Sequence, residues 1–529
     1  LHSSCFFYVT LGQIYDFLAG ITEESHLENH LSRLKVALFS MNSTLALVIL
    51  IAYFAMLIVV SIYTSRGADT NTFFTANRQS PWYLVAFGMI GTSLSGVTFI
   101  SVPGAVGAKG FSYFQVVLGY LVGYYVIGTV LMPLYYRMNL VSIYGYLEKR
   151  FGFWSYKTGA GFFLLARTVG SAVRLYVAAG VLQLAIFNSL GVPFEVSVAI
   201  TILLIWLYTF KGGVKTIIVT DTLQTLFLIT AVILTILLIG QELNFSFGGM
   251  VSAIQASDYS QIFFWDANDP KNFFKQFISG AFIAIVMTGL DQDLMQKNLT
   301  CKNIGEAQKN MFWFTVVLTI VNLLFLSLGA LLYFYATTKN IPVPAKTDDL
   351  YPMLALNHFG LLVGVTFLLG ITAATYASSD SALTALTTSF CIDFMNVEGR
   401  PETERSRIKH YVHIGFSVLF YVVIIIFDRL NSQDVITAVF DLAGYTYGPL
   451  LGLYAFGLFS KRPVRDNLVP FICLASPFIT LYINNHSAEW FGGYKFGFER
   501  LVLNGLITYL GLWAVSRRKA IAEPVTARV

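Results

Sequence analysis

From Leu45 to Trp513 the chain is a succession of apolar segments of about 20 residues, separated by short polar connections. At about 1.5 Å of rise per residue, each segment is long enough to cross the roughly 30 Å hydrocarbon core of a bilayer as a helix. No other feature constrains the fold so tightly. Inside a bilayer the backbone must satisfy its own hydrogen bonds, so repeated segments of this kind become helices that pack on one another. Charged residues make up 12% of the chain, about half the roughly 25% of a soluble domain, which excludes a water-facing globule. The net charge of +5 needs no nucleic-acid partner, because membrane proteins keep Lys and Arg in their cytoplasmic connections. The expectation is an all-α protein with the lipid bilayer as its solvent.

Spans are expected near 44–64, 81–108, 113–136, 156–187, 193–210, 215–240, 273–296, 311–336, 352–388, 409–427, 434–459, 467–484 and 497–515, about thirteen in all. Alternate connections then carry very different charge. One set holds 22 Lys and Arg, among them Arg78, Arg150, Lys157, Lys297, Arg400 and Lys461; the other holds 8, among them Lys109, Lys271, Lys275 and Arg500. That asymmetry places the N-terminus outside and the C-terminus in the cytoplasm of a plasma (inner) membrane. Residues 41–519 read as a single transmembrane domain and 520–529 as a cytoplasmic tail. Residues 1–40 carry no basic stretch before an apolar core and are no signal peptide; with Met41 the first methionine, they are expected to be a dispensable leader. The four cysteines and seven histidines show no disulfide or metal spacing, so no transition-metal site and no enzyme is expected.

Ionisable groups at membrane depth are costly, about 2.5–3.5 kcal/mol on insertion scales, and are functional candidates by default. They are Arg167, Arg174, Asp221 and Asp380; Asp291 and Asp293 lie near the end of their span and are expected to reach water. Asp221 in KGGVKTIIVTDTLQTLF is six residues beyond Lys215, about 9 Å into the membrane. Asp380 lies in GITAATYASSDSALTALTTSF, where Ala374, Ala377, Ser378 and Ser381 share one helix face, flanked by Asp380 and Thr384. Small residues at such a face suit close helix packing, but packing alone gives no reason for the carboxylate. The segment GMIGTSLSGVTFISVPGA, Gly88 to Ala105, crowds hydroxyls and helix-weakening residues into an apolar run. Gly91, Gly96 and Pro103–Gly104 are expected to break the helix. Freed backbone groups at that depth are tolerated only in the protein interior or along a cavity, where they hold a cation or an anionic group.

These segments, with FFTANRQSPWY, DQDLMQKNLTCKNIGEAQK and AGYTYGPLLGLYAFGLFSKR, make the chain resemble the sodium:solute symporter family from about Thr44 to Arg518. The resemblance implies the leucine-transporter fold with two inverted five-helix repeats, about 81–240 and 273–459. It implies a main sodium site built from the backbone of Gly91, Leu94 and Ala374 with the Ser378 hydroxyl; Ala377 stands where relatives carry a second hydroxyl, and a one-residue shift would make the pair Ser378–Ser379. It implies a second sodium site at Asp221, Asp380 and Ser381, with Asp380 in place of a hydroxyl; in the cytoplasmic-loop motif DQDLMQKNLTCKNIGEAQK, Lys297 stands for the usual arginine. Ala284, Met287 and Thr288 argue against a sugar. Ser93, Ser95 and Thr98 would line a solute site, with Gln115 opposite and Arg167 taking a carboxylate in its planar fork.

The function implied is sodium-driven import of a small polar, anionic solute, with sodium as the coupling ion and no other cofactor. Proton coupling through Asp221 and Asp380 is the alternative. A channel would need a ring-forming selectivity loop, and a sensor an output domain; neither pattern stands out.

Overall fold

The computed structural model describes residues 43–67, 70–209, 213–430 and 435–517; the expectations for residues 1–40 and 520–529 lie outside them. Each expected apolar segment is occupied by helix. In chain order these are α1 (Ser43–Thr64), α2 (Trp82–Ser93), α3 (Gly96–Lys109), α4 (Tyr113–Arg137), α5 (Phe153–Leu190), α6 (Phe194–Thr209), α7 (Gly213–Glu242), α8 (Phe273–Gly289), α9 (Gln292–Asn298), α10 (Ile304–Thr338), α11 (Gly360–Phe394), α12 (Glu402–Leu430), α13 (Val435–Thr446), α14 (Gly448–Phe459), α15 (Asp466–Trp490) and α16 (Arg500–Val515). Eight are by themselves long and apolar enough to span a membrane, and two bent pairs, α2/α3 and α8/α9, bring the number to 10. α6, α14 and α16 are shorter apolar helices.

The bent pairs open the two stretches that the resemblance marks as repeats. α2 and α3 meet at 55° and α8 and α9 at 68°. The first break is local: Leu94 leaves the helical region at φ −86°, ψ 67°, and Ser95 is extended at φ −63°, ψ 171°. At the second break Asp291 is extended, at φ −111°, ψ 123°, and its carboxylate accepts the Asp293 N–H at 2.9 Å. An acidic side chain there satisfies one of the unpaired donors at the start of α9.

Pro103 and Gly104 do not break the chain, contrary to expectation; α3 runs through both to Lys109. A Cβ on Gly104 would lie 2.4 Å from the Thr347 carbonyl, so a crossing loop requires the bare backbone there. Glycines elsewhere set helix spacing in the same way. A Cβ on Gly119 of α4 would lie 2.1 Å from the Phe277 carbonyl, and one on Gly280 of α8 would lie 2.1 Å from the Val116 carbonyl, so α4 and α8 touch backbone to backbone. Close contact replaces the hydrophobic drive that lipid cannot supply.

α7 lies along α11 and also packs on α2, while α5 touches α11, α12 and α13. Large apolar side chains such as Val48, Ile51, Phe471 and Phe478 are exposed on α1 and α15, as a lipid-facing surface requires. One end of the molecule carries Arg78, Arg150, Lys157 and Arg400 and is called the basic end below; the opposite end carries the segments between α7 and α8 and between α10 and α11.

Candidate ion and solute site

Asp221 of α7 is fully buried. Gly88 and Gly91 of α2 let the two helices close on each other: a Cβ on Gly88 would lie 3.3 Å from the Asp221 Cβ, and one on Gly91 would lie 2.3 Å from Thr225 Oγ1. Two α7 hydroxyls donate back to α2, Thr222 to the Leu84 carbonyl (3.3 Å) and Thr225 to the Phe87 carbonyl (3.0 Å). The glycines of the opening segment therefore serve packing as well as helix weakening. Thr92 Oγ1 donates to Asp221 Oδ2 at 2.9 Å. The partner that hydropathy did not reveal is Lys297. Counted above among the connection charges, it is only 1% exposed and its Nζ donates to both Asp221 Oδ2 and Thr92 Oγ1. The 68° turn into α9 carries it inward.

Asp380 of α11 is fully buried nearby and accepts from the Tyr208 hydroxyl on Oδ2 at 2.7 Å. Among the described residues the other oxygens of both acids, Asp221 Oδ1 and Asp380 Oδ1, have no hydrogen-bond partner, and neither do Thr375 Oγ1, Ser379 Oγ and Thr384 Oγ1 on α11. An unpaired buried acceptor is costly. Asp221 Oδ1 and Asp380 Oδ1, on packed helices, are unspent acceptors of the kind a small cation takes. Ser381, expected with Asp221 and Asp380, instead donates to Asp293 in a different cluster: its place on α11 turns it toward α9.

That second cluster corrects one expectation. Asp291 and Asp293 do not reach water; both are buried, and Arg167 of α5 pairs with them, through NH1 to Asp291 Oδ2 at 3.8 Å and through NH2 to Asp293 Oδ2. Tyr447, between α13 and α14, donates to Asp291, and Ser381 of α11 to Asp293. Arg167 is thereby paired with protein carboxylates, while its Nε has no partner among the described residues and it borders the cavity described next.

A cavity of about 70 Å³ lies against the first break, lined by Ser93, Ser95, Thr98, Tyr113, Tyr120, Tyr124, Arg174, Thr288 and Asn322 among others. Three expected residues, Ser93, Ser95 and Thr98, are there. Gln115 is not. Its amide donates to the Ser112 and Lys271 carbonyls (3.2 and 2.8 Å) and accepts from Phe264 N–H (3.3 Å), which ties down the segment before α8. The α4 residues that do face the cavity are its tyrosines, spaced at helical intervals. Arg174 lies two turns along α5 from Arg167 and makes no ion pair or hydrogen bond to any described residue. Asn322 spends its N–H on the Leu318 carbonyl (2.8 Å), leaving Oδ1 without a partner. Tyr113 and Phe440 stack with centroids 6.4 Å apart and separate this cavity from a wider one of about 370 Å³ away from the basic end.

At the break itself, Leu94 N–H bonds the Ile90 carbonyl at 2.8 Å. The carbonyls of Gly91 to Leu94 then have no following turn, because Ser95 is extended. Gly96 sits so close to α11 that a Cβ would lie 2.2 Å from Thr375 Oγ1. Ala374 and Ala377 are buried on that helix, and Ser378 Oγ donates to the Thr375 carbonyl at 3.0 Å. The break and this stretch of α11 are therefore packed together. Thr375 was missed in the sequence, though it lies within one turn of Ser378; Ser379 is the second hydroxyl that the one-residue shift offered. Among the described residues no group of three or more His, Cys, Asp or Glu could hold a metal ion.

A broken helix beside a buried aspartate, unpaired hydroxyls and a free cavity arginine are what an ion-coupled carrier needs, and similarity to known proteins agrees. The chain is 26% identical over 441 residues to the sodium/sialic acid symporter NanT of Aliivibrio fischeri, covering 79% of this chain and 84% of that one. It is 25% identical to the human sodium-coupled monocarboxylate transporter 1 over 473 residues, 83% of this chain and 72% of that one. The solved structure of a substrate-bound, outward-open sodium-coupled sialic acid symporter superposes with a TM-score of 0.76 over 90% of this chain and 99% of that one, at 19% identity, which establishes the leucine-transporter fold. The model of the sodium:solute symporter family matches residues 73–466, and the chain belongs to that family.

Proposed function

We propose that this sodium-coupled symporter imports a small organic anion, with Arg174 as the anchor for the anionic group. One observation carries the reading: of the two arginines that line the cavity at the broken helix, Arg174 makes no hydrogen bond or ion pair to any described residue, and a guanidinium fork is matched to a carboxylate. Arg167, first assigned that part, is held by Asp291 and Asp293. Ser93, Ser95 and Thr98 supply hydroxyls, and the α4 tyrosines supply aromatic walls with polar tips. The transported sodium is assigned to the break, with the Gly91, Leu94 and Ala374 carbonyls and the Ser378 hydroxyl as ligands, and Ser379 and Thr375 supplying the hydroxyl that Ala377 lacks. The basic end faces the cytoplasm by its charge. Relatives transport sialic acid and monocarboxylates by their names, and both solutes carry a carboxylate.

Coupling requires that bound sodium favour the solute-competent state and the solute favour sodium binding. The test is uptake into proteoliposomes of short monocarboxylates, hydroxy acids, amino acids and sialic acids under imposed gradients. An inward sodium gradient should drive accumulation of a carboxylate, and Arg174→Gln should abolish it. Accumulation driven equally by a proton gradient without sodium would instead establish coupling through the buried aspartates.

A further inference from the structure

We propose that a cavity at the basic end, where the ends of α4 and α14 meet the short helix Gly145–Arg150, binds the phosphate group of an acidic phospholipid from the adjoining leaflet. The site stands apart from the ion and solute site above. The cavity is about 100 Å³ and is lined by the end of α4, by Tyr146, Lys149 and Arg150 of the short helix, and by the end of α14 with Ser460 and Lys461. Arg150 joins these parts. Its Nε donates to the Gly457 carbonyl at 3.2 Å, and its NH2 donates to the Ser460 carbonyl and, at 3.3 Å, to that of Arg462. Those bonds satisfy carbonyls at the end of α14 that have no intrahelical partner, and they fix the guanidinium. Its NH1 is buried with no hydrogen-bond partner among the described residues, and so is the Tyr146 hydroxyl. Gly457 leaves that hydroxyl its room, since a Cβ there would lie 2.7 Å from Tyr146 Oη.

The unspent groups ask for an acceptor. A guanidinium N–H can only donate, and a phenol donates readily. Lys149 and Lys461, both exposed, border the same cavity, and no carboxylate lines it. The wider cavity at the opposite end differs, because there Asp441 pairs with Arg500. Three positive charges and a hydroxyl around one space suit an anion with several acceptor oxygens, which a phosphate supplies. The rest of the lining names the source. Leu134, Met138, Leu458 and Phe459 are apolar, and Phe459, the last residue of α14, is 80% exposed. A soluble anion makes no use of such a border, whereas the glycerol and acyl carbons of a lipid do. Basic groups at the cytoplasmic ends of membrane helices also gather acidic lipids. Closing α14 accounts for Arg150 Nε and NH2; it leaves NH1, Tyr146 and the two lysines without a reason.

The experiment is native mass spectrometry of the purified full-length chain released from micelles that hold equal amounts of phosphatidylglycerol and phosphatidylcholine. The wild type should retain one phosphatidylglycerol in preference to phosphatidylcholine. Lys149→Gln/Lys461→Gln should weaken that binding roughly 30-fold, and Tyr146→Phe about fivefold. Lys302→Gln/Lys309→Gln removes the same charge from exposed lysines of the basic end that do not line the cavity, and should leave the binding nearly unchanged. Equal losses in the two double variants would show diffuse attraction to the leaflet and overturn the site. A wild type with no preference for phosphatidylglycerol overturns it as well. Inorganic phosphate bound in place of the lipid would make the ligand a soluble anion and overturn the lipid assignment. Arg150→Gln opens the end of α14 and can cost the fold, so the lysine and tyrosine variants decide without it.

Discussion

The Asp221–Asp380–Lys297 cluster and the Asp291–Asp293–Arg167 cluster have the same composition, two buried carboxylates and one base, and both draw on α9. Asp293 and Lys297 are four residues apart on that helix, the spacing at which an acid and a base commonly pair with each other, yet each bonds to a different neighbour. What separates the clusters is hydrogen bonding. Around Arg167 all four carboxylate oxygens have partners: Asp293 N–H and Tyr447 on Asp291, Ser381 and Arg167 on Asp293. Around Lys297 only the Oδ2 atoms do, and Asp221 Oδ1 and Asp380 Oδ1 are left open. Equal charge with unequal satisfaction means that one cluster fastens α5, α9, α11 and the α13/α14 junction together, while the other keeps coordination capacity for an ion.

The strongest way to break this comparison is to remove each base. Arg167→Met leaves two buried carboxylates uncompensated, and losing one partner of a buried ion pair costs about 3–5 kcal/mol. The expected result is a large drop in melting temperature in detergent that sodium does not repair. Lys297→Met exposes Asp221 to the same penalty, but there sodium has open oxygens to occupy. Its melting temperature should rise with sodium concentration more steeply than that of Arg167→Met. Parallel sodium responses in the two variants would erase the distinction.

A smaller effect tests the division between the two arginines. Arg174→Lys keeps the charge but loses the planar fork, and should weaken solute affinity by about 1–3 kcal/mol, roughly 5- to 150-fold, with melting nearly unchanged because Arg174 makes no hydrogen bond or ion pair to any described residue. Solute binding that is insensitive at Arg174 and sensitive at Gln115 would return the site to the arrangement expected from sequence. Smallest of all, Gln115→Leu should leave solute affinity as it is and cost about 1–2 kcal/mol of stability, through the stranded Phe264 N–H and Lys271 carbonyl. Uptake affinity and melting, measured on the same preparations, separate the two outcomes.

Much of the fold was legible because transfer from water to lipid is close to a sum over local residues. Helices therefore appear at the expected segments, and the first break lies inside Gly88–Ala105. Asp221, Ser93, Ser95 and Thr98 could be singled out because polar groups are conspicuous in an apolar run. The failures share one cause. Pro103–Gly104 looked like a break and is a close crossing with Thr347. Gln115 looked like a solute ligand and holds a loop. Hydropathy reports depth, and it is silent on which side of a helix faces a neighbour from a distant part of the chain.

The sequence by itself thus determined that this is a helical membrane protein of the sodium:solute symporter family, and which polar residues lie at depth. Only the tertiary structure decided who pairs with whom. Lys297 and Asp221 are 76 positions apart and Arg167 and Asp293 are 126 apart; their meeting depends on the 68° turn between α8 and α9 and on the rotation of each helix about its own axis. A turn of about 100° per residue moves a side chain from the lipid face to the interior while leaving the apolar content of the segment almost unchanged. That is why the lysine counted with the connections is a buried cation, and why Arg167 meets Asp291 and Asp293 at the cavity's edge.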